Sequence, residues 1–165
     1  LDPVMVATSG AKLLEDDALH ALRTRLLPMA TVLTPNIPEA ELLLGHHIDD
    51  AMAADDAARA LLALGPQSVL LKGAHLNEGD MVVDRYLDAR VDAEFQHDLL
   101  PLEGHGTGCT LASAIAANLC LGLSPAQACS VAIDYVAEAL RRGYRPGKGD
   151  VVILDHFGAS KLGRR

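Results

Sequence analysis

Along the chain, short blocks of consecutive apolar residues alternate with longer stretches in which apolar positions recur every three or four residues. The blocks read as buried strands and the longer stretches as helices. Leu1-Asp2-Pro3-Val4-Met5-Val6 reads as the end of a buried strand. Natural chains seldom begin inside a core strand, so a fragment of a longer chain is expected. Ala7 to Glu15 reads as a polar, glycine-containing loop, and Asp16 and Asp17 then precede Leu19, Leu22 and Leu26, a helical spacing with acids at the positive end of the dipole. Thr31-Val32-Leu33 is a short buried strand that stops at Thr34-Pro35-Asn36-Ile37-Pro38, where the prolines impose an extended loop before Glu39 to Leu44 turns helical. Asp55 to Leu64 is an Ala/Leu-rich helix closed by Gly65-Pro66, and Ser68 to Leu71 is a strand running into Lys72-Gly73.

Met81 to Leu87 and Arg90 to Phe95 alternate as a hairpin through Asp88-Ala89, expected at a sheet edge. Gly104-His105-Gly106-Thr107-Gly108 opens a long helix with Leu111, Ile115 and Leu119 on its apolar face. A second helix runs from about Ser124, with Pro125 in its first turn, through Val131, Val136 and Leu140 to Gly143. Strands alternating with helices imply an α/β layered sheet. With 165 residues and neither repeat nor linker, the expectation is one domain.

Composition narrows the class. Half the residues are apolar and 22% are charged, which suits a globular chain with a core. The net charge of −8 argues against a nucleic-acid or acidic-membrane surface, since phosphate backbones reward clustered Lys and Arg. The basic residues that do cluster, Arg141, Arg142, Arg145, Lys148, Lys161, Arg164 and Arg165, read as a solvated helix end and tail. Cys109, Cys120 and Cys129 form neither a CxxC pair nor a disulfide framework, which favours a reducing, cytoplasmic setting and gives no metal cluster. No apolar run reaches membrane-spanning length, and no secretory pattern is present.

The strongest chemical signal is Gly106-Thr107-Gly108-Cys109-Thr110 at a helix start. The first N–H groups of a helix have no internal acceptor, and glycines let a phosphoryl group approach them closely. The plain alternative is a Gly-rich helix start with a buried cysteine. Cys109 lies in the first turn, where the dipole favours a thiolate able to take a hydroxyl proton, whereas Cys120 and Cys129 read as inert packing. Neither GxxxxGK[ST] nor a strand-borne GxGxxG occurs, so a P-loop and a dinucleotide fingerprint are both unsupported. Asp2 and Glu39, both expected on one edge of a parallel sheet, are the acids available to Mg²⁺; singly, they read as a strand-end hydrogen-bonder and a solvated first-turn acid. Lys72, followed by Gly73-Ala74-His75, ends its strand with an ammonium available to a nucleotide phosphate, or simply caps the strand. His75 and His105 flank glycines but carry weaker claims to orient substrate or phosphate.

Four segments, Asp2-Pro3-Val4-Met5-Val6-Ala7-x-Ser9-Gly10, Thr34-Pro35-Asn36-x-Pro38-Glu39-Ala40-Glu41, Leu71-Lys72-Gly73-x-His75-Leu76 and His105-Gly106-Thr107-Gly108-Cys109-Thr110-Leu111, resemble hydroxymethylpyrimidine phosphate kinases in wording and order. The resemblance covers essentially all of this chain but only the C-terminal part of such an enzyme, lacking the segment that supplies much of the pyrimidine pocket. It implies that residues 1–165 are the C-terminal part of one ribokinase-like kinase domain, a three-layer α/β/α sandwich on a mostly parallel sheet. It also implies ATP-dependent phosphorylation of the hydroxymethylpyrimidine and then of its monophosphate in thiamine biosynthesis, with Mg²⁺. Carried onto matching positions, Gly106, Thr107, Gly108 and Cys109 form the anion hole, with Cys109 as base. Asp2, Thr34, Asn36, Glu39, Lys72 and Gly73 serve Mg²⁺ and the ATP phosphates, and Val6 touches the pyrimidine. A cytoplasmic homodimer is implied. The runner-up is a pyridoxal kinase of the same fold, whose members mostly resemble Gly-Thr-Gly-Asp at the anion hole. The other alternative is an inactive nucleotide-binding fragment.

Overall fold

The computed structural model describes residues 1–5, 13–76, 79, 81–100, 102 and 104–160. The chain divides into two compact units, Leu1–Leu99 and Leu100–Arg165.

In the first unit, helix α1 (Asp16–Ala21) begins with the expected acids and passes into a π-helical turn, Leu22–Leu26, and a 3₁₀ turn, Leu27–Met29. The wider turn, closed by the Leu27 N–H on Leu22 O, changes which side chain faces inward. Leu22 and Leu27 are buried while Leu26, expected on the apolar face, is 49% exposed. The chain after it runs extended through Leu33 and Pro35. Leu33 N–H donates to Ser68 O (3.0 Å), Leu70 N–H to Leu33 O (2.8 Å) and Lys72 N–H to Pro35 O (2.9 Å), a parallel pairing with bridges at Leu33–Val69 and Asn36–Lys72. Leu1 lies alongside, its amino nitrogen donating to Val32 O and its carbonyl accepting from Thr34 N–H. Of the strands expected at residues 1–6 and 31–33, the described residues 1–5 form no named strand and 31–33 contribute only the bridge at Leu33, with Pro3 and Pro35 each withdrawing a donor from the ladder.

Helix α2 (Ile37–Leu44) starts two residues before the expected Glu39, because Asn36 caps it. Helix α3 (Ala51–Ala63) starts four residues before the expected Asp55, because the Asp50 side chain accepts from Ala53 N–H. Strand β1 (Ser68–Leu71) is wholly buried and pairs antiparallel with β2 (Met81–Asp88), which pairs antiparallel with β3 (Asp92–Asp98) at the edge. The hairpin thus stands at the edge as expected, turning where Asp88 Oδ1 accepts from the N–H groups of Arg90 and Val91. The core of this unit gathers Met5, Leu27, Leu33, Leu43, Leu61 and Val69.

In the second unit, β4 (Gly104–His105) pairs parallel with β5 (Val152–Ile153) and leads into helix α4 (Thr107–Cys120). Helix α5 (Pro125–Arg141), opened by a Ser124–Gln127 capping box, packs against α4, and a short α6 (His156–Ala159) follows. Leu111 and Ile115 are buried as expected. The inward face of α5 is Ala128, Cys129, Ala132, Ile133 and Ala139, and Val131 is 46% exposed. Small side chains let two helices approach closely, and that outweighs the larger valine. Cys129 is buried, whereas Cys120, expected in packing, is exposed at the end of α4. Among the described residues, no helix is long and apolar enough to cross a membrane.

Candidate functional site

In the first unit the polar groups converge where β1 ends. The Lys72 ammonium stands 3.4 Å from Asp2 Oδ1 and 3.9 Å from Glu39 Oε2. Thr34 Oγ1 lies 3.4 Å from the same Asp2 oxygen. The side chains of Lys72 and Asp2 are each 15% exposed and that of Glu39 only 5%. Glu39 does not stand in solvent, as a first-turn acid reads from the sequence, because it closes a capping box: Glu39 N–H donates to Asn36 Oδ1 and Asn36 N–H to Glu39 Oε2, both at 2.8 Å. Burial pushes the Glu39 carboxyl above its ordinary value, against the pull of the Asn36 amide and Lys72. Two carboxylates and a hydroxyl are hard oxygen donors of the kind Mg²⁺ accepts alongside water and phosphate, so the set fits that ion. Among the described residues no group of three or more His, Cys, Asp or Glu could by itself enclose a metal.

In the second unit Gly106 adopts φ +80°, a left-handed conformation that favours glycine, and caps α4 with no side chain of its own. The first helical bond comes from Thr110, whose N–H (3.0 Å) and hydroxyl (2.8 Å) both donate to Gly106 O. The amides of Thr107, Gly108 and Cys109 donate to no acceptor among the described residues. Cys109 is exposed and lines an open groove of about 520 Å³ with Thr110, Ser113, Tyr135 and His156. Among the described residues, then, the turn's amides are available to an anion, and its thiol faces open space rather than core.

A family model described as phosphomethylpyrimidine kinase matches residues 1–153. The chain belongs to this family. It is similar to the hydroxymethylpyrimidine/phosphomethylpyrimidine kinase of Synechococcus elongatus, 46% identical over 163 residues that cover 95% of this chain and 60% of the relative. Among solved structures it is similar to the pyridoxal kinase of Staphylococcus aureus in complex with AMP-PCP, with a TM-score of 0.85 and 32% identity over 98% of this chain and 58% of that one. It is also similar to a phosphomethylpyrimidine kinase from Clostridium difficile, with a TM-score of 0.71 and 36% identity over 84% of this chain and 55% of that one. The chain therefore spans somewhat more than half the length of these relatives. Its fold is the ribokinase-like α/β fold.

Within this phosphomethylpyrimidine kinase family chain, Asp2, Thr34, Asn36, Glu39, Lys72 and Gly73 are gathered in the first unit, and Gly106, Thr107, Gly108 and Cys109 in the second. Val6, assigned to the pyrimidine, lies outside the described residues, as do Lys161, Arg164 and Arg165 of the basic tail. His75 is exposed beside Lys72; partial burial, then the lysine's charge, lowers its pKa. His105 is exposed on β4. The sequence reading missed Asp84. It is 4% exposed, accepts from Gly73 N–H at 2.8 Å, and places its other oxygen 3.3 Å from His97 Nε2. Its burial within Val82-Val83-Asp84-Arg85-Tyr86, where every residue is buried, is evident only in the structure.

Proposed function

We propose that the protein is an ATP-dependent hydroxymethylpyrimidine and phosphomethylpyrimidine kinase of thiamine biosynthesis, and that the two compact units are parts of one kinase domain. The observation that carries this reading is the start of α4: three amides with no acceptor among the described residues following a left-handed Gly106, with the exposed Cys109 sulfur in the same turn. The family match over residues 1–153 supports the choice of reaction.

In the first step the pyrimidine's hydroxymethyl oxygen attacks the γ-phosphorus of ATP. The bond from that phosphorus to the β–γ bridging oxygen breaks, ADP leaves, and the hydroxyl proton passes to the Cys109 thiolate, which becomes the thiol. The amides of Thr107, Gly108 and Cys109 take the charge that spreads over the transferring phosphoryl oxygens. Lys72 pairs with the nucleotide phosphates, and Thr34, Asn36 and Gly73 shape its surroundings. Asp2 and Glu39 are the residues that would hold Mg²⁺, which when bound neutralises phosphate charge. In the second step a phosphate oxygen of the monophosphate attacks instead, giving the diphosphate.

A pyridoxal kinase is the second reading, favoured by the likeness to the Staphylococcus aureus enzyme at a TM-score of 0.85. Phosphoryl transfer followed by ³¹P NMR, with the hydroxymethylpyrimidine, its monophosphate and pyridoxal offered separately, decides between them. Turnover confined to pyridoxal rejects the pyrimidine assignment, and Mg-ATP binding without turnover on any acceptor favours a nucleotide-binding module. A cytoplasmic homodimer is part of the proposal, and sedimentation at micromolar concentration tests the dimer.

A further inference from the structure

The buried Asp84 carboxylate belongs to neither the proposed metal set nor the anion hole, yet it grips the residue next to Lys72. We propose that Asp84, steadied by His97, is a positioning residue that fixes Lys72 for phosphate binding by clamping the Gly73 amide; this rests on the nucleotide role proposed for Lys72.

Lysine carries its charge on a long, flexible stem, so where the ammonium stands depends on how firmly the backbone beneath it is held. Lys72 follows the last residue of β1 and pairs once more, as an isolated bridge, through its N–H on Pro35 O. The next amide, Gly73 N–H, turns to Asp84 Oδ1 at 2.8 Å. Gly73 also lies against β2, since a Cβ placed on it would fall 2.0 Å from Val83 O. The backbone at 72–73 is thus held between the Pro35 carbonyl on one side and Val83–Asp84 on the other.

The carboxylate is itself held. His97 on β3 is the diagonal cross-strand neighbour of Asp84, because Asp84 pairs with Phe95, and its Nε2 meets Asp84 Oδ2 at 3.3 Å. The chain of contacts runs from His97 through Asp84 and Gly73 to Lys72, and ends on Asp2 and Glu39. A rigid anchor of this kind lets an ammonium meet a phosphate without first being ordered.

The test is a double-mutant cycle on Mg-ATP affinity by calorimetry, joined to a measurement that needs no nucleotide, the acetylation rate of Lys72 by acetic anhydride read by mass spectrometry. Asp84→Ala is expected to weaken Mg-ATP binding at least tenfold and to speed Lys72 acetylation several-fold. Asp84→Asn, which keeps an acceptor for Gly73 N–H, stays within threefold of the original chain in both. In a Lys72→Met background, Asp84→Ala causes no further loss, because its effect passes through the lysine. Losses that simply add, or an Asp84→Ala protein that binds within twofold, overturn the inference. Where Asp84→Ala does not fold, His97→Ala carries the test: a loss of threefold or more with faster acetylation supports the clamp, and no change overturns it. If the original chain binds no Mg-ATP, the kinase reading falls alone, and the acetylation rates still decide whether Asp84 positions Lys72.

Discussion

Glu39 offers a perturbation whose sign follows from the structure. Its carboxyl is 5% exposed and 3.9 Å from the Lys72 ammonium, an attraction of about 4 kcal/mol at an effective dielectric near 20. Even so, its pKa is raised, so desolvation, aided by the nearby Asp2 charge, outweighs the Asn36 amide and the cation together. A carboxyl that binds its proton more tightly when folded withdraws stability as pH rises from its unfolded value through its folded one. Glu39→Gln removes that penalty and keeps the capping box, since a Gln oxygen also accepts from Asn36 N–H. Lys72 retains Asp2 at 3.4 Å and is not left alone. The variant is expected to be more stable at pH 7 by about 1 kcal/mol, a rise in Tm of roughly 2–4 °C. The gain fades as pH falls from the raised folded value toward the ordinary carboxylate value of 4.5 and is gone below it, where Glu39 is neutral in both states. Urea unfolding across pH 4 to 8 measures this. A Glu39→Gln protein that is less stable at pH 7, by a margin independent of pH, refutes the reasoning.

Cys109→Ala is expected to slow phosphorylation of the hydroxymethyl group by about 10²–10⁴-fold while sparing the second step, whose attacking phosphate oxygen has no proton to surrender. Separate rates for the two acceptors check this, and equal losses would contradict the assignment of Cys109 as base. Gly73→Ala places a Cβ 2.0 Å from Val83 O and is expected to cost about 1–3 kcal/mol in urea unfolding. It should also weaken Mg-ATP binding, since Lys72 shifts with its neighbour. Gly106→Ala, at φ +80°, should cost about 1 kcal/mol and lower kcat more than it raises KM for ATP.

What could be read from the sequence was what is punctuated locally. Glycines at 106 and 108 mark the start of α4, Pro35 and Pro38 end one extended run, and apolar alternation marks the hairpin. Those signals depend on a residue's own φ or its nearest neighbours. The π-helical turn that trades Leu26 for Leu27, and the alanine stripe that leaves Val131 outside, are decided by packing with distant residues. The candidate residues of the Lys72 cluster were legible singly, because each ends a strand or opens a helix. Their convergence was legible only through the expected placement of Asp2 and Glu39 on one sheet edge and through the family resemblance, since Asp2 and Lys72 are 70 positions apart and meet through the pairing of residues 33–36 with 69–72. Asp84 escaped notice because a carboxylate in a strand ordinarily reads as solvent-facing, and its partner, a backbone N–H, leaves no mark in a sequence.

The central claim is that the amides of Thr107, Gly108 and Cys109 receive a phosphoryl group, and backbone NMR during an Mg-ATP titration tests it most directly. The account predicts that these three resonances shift together and gain protection from exchange as nucleotide saturates. Saturation by Mg-ATP with all three unmoved and still exchanging freely would contradict it.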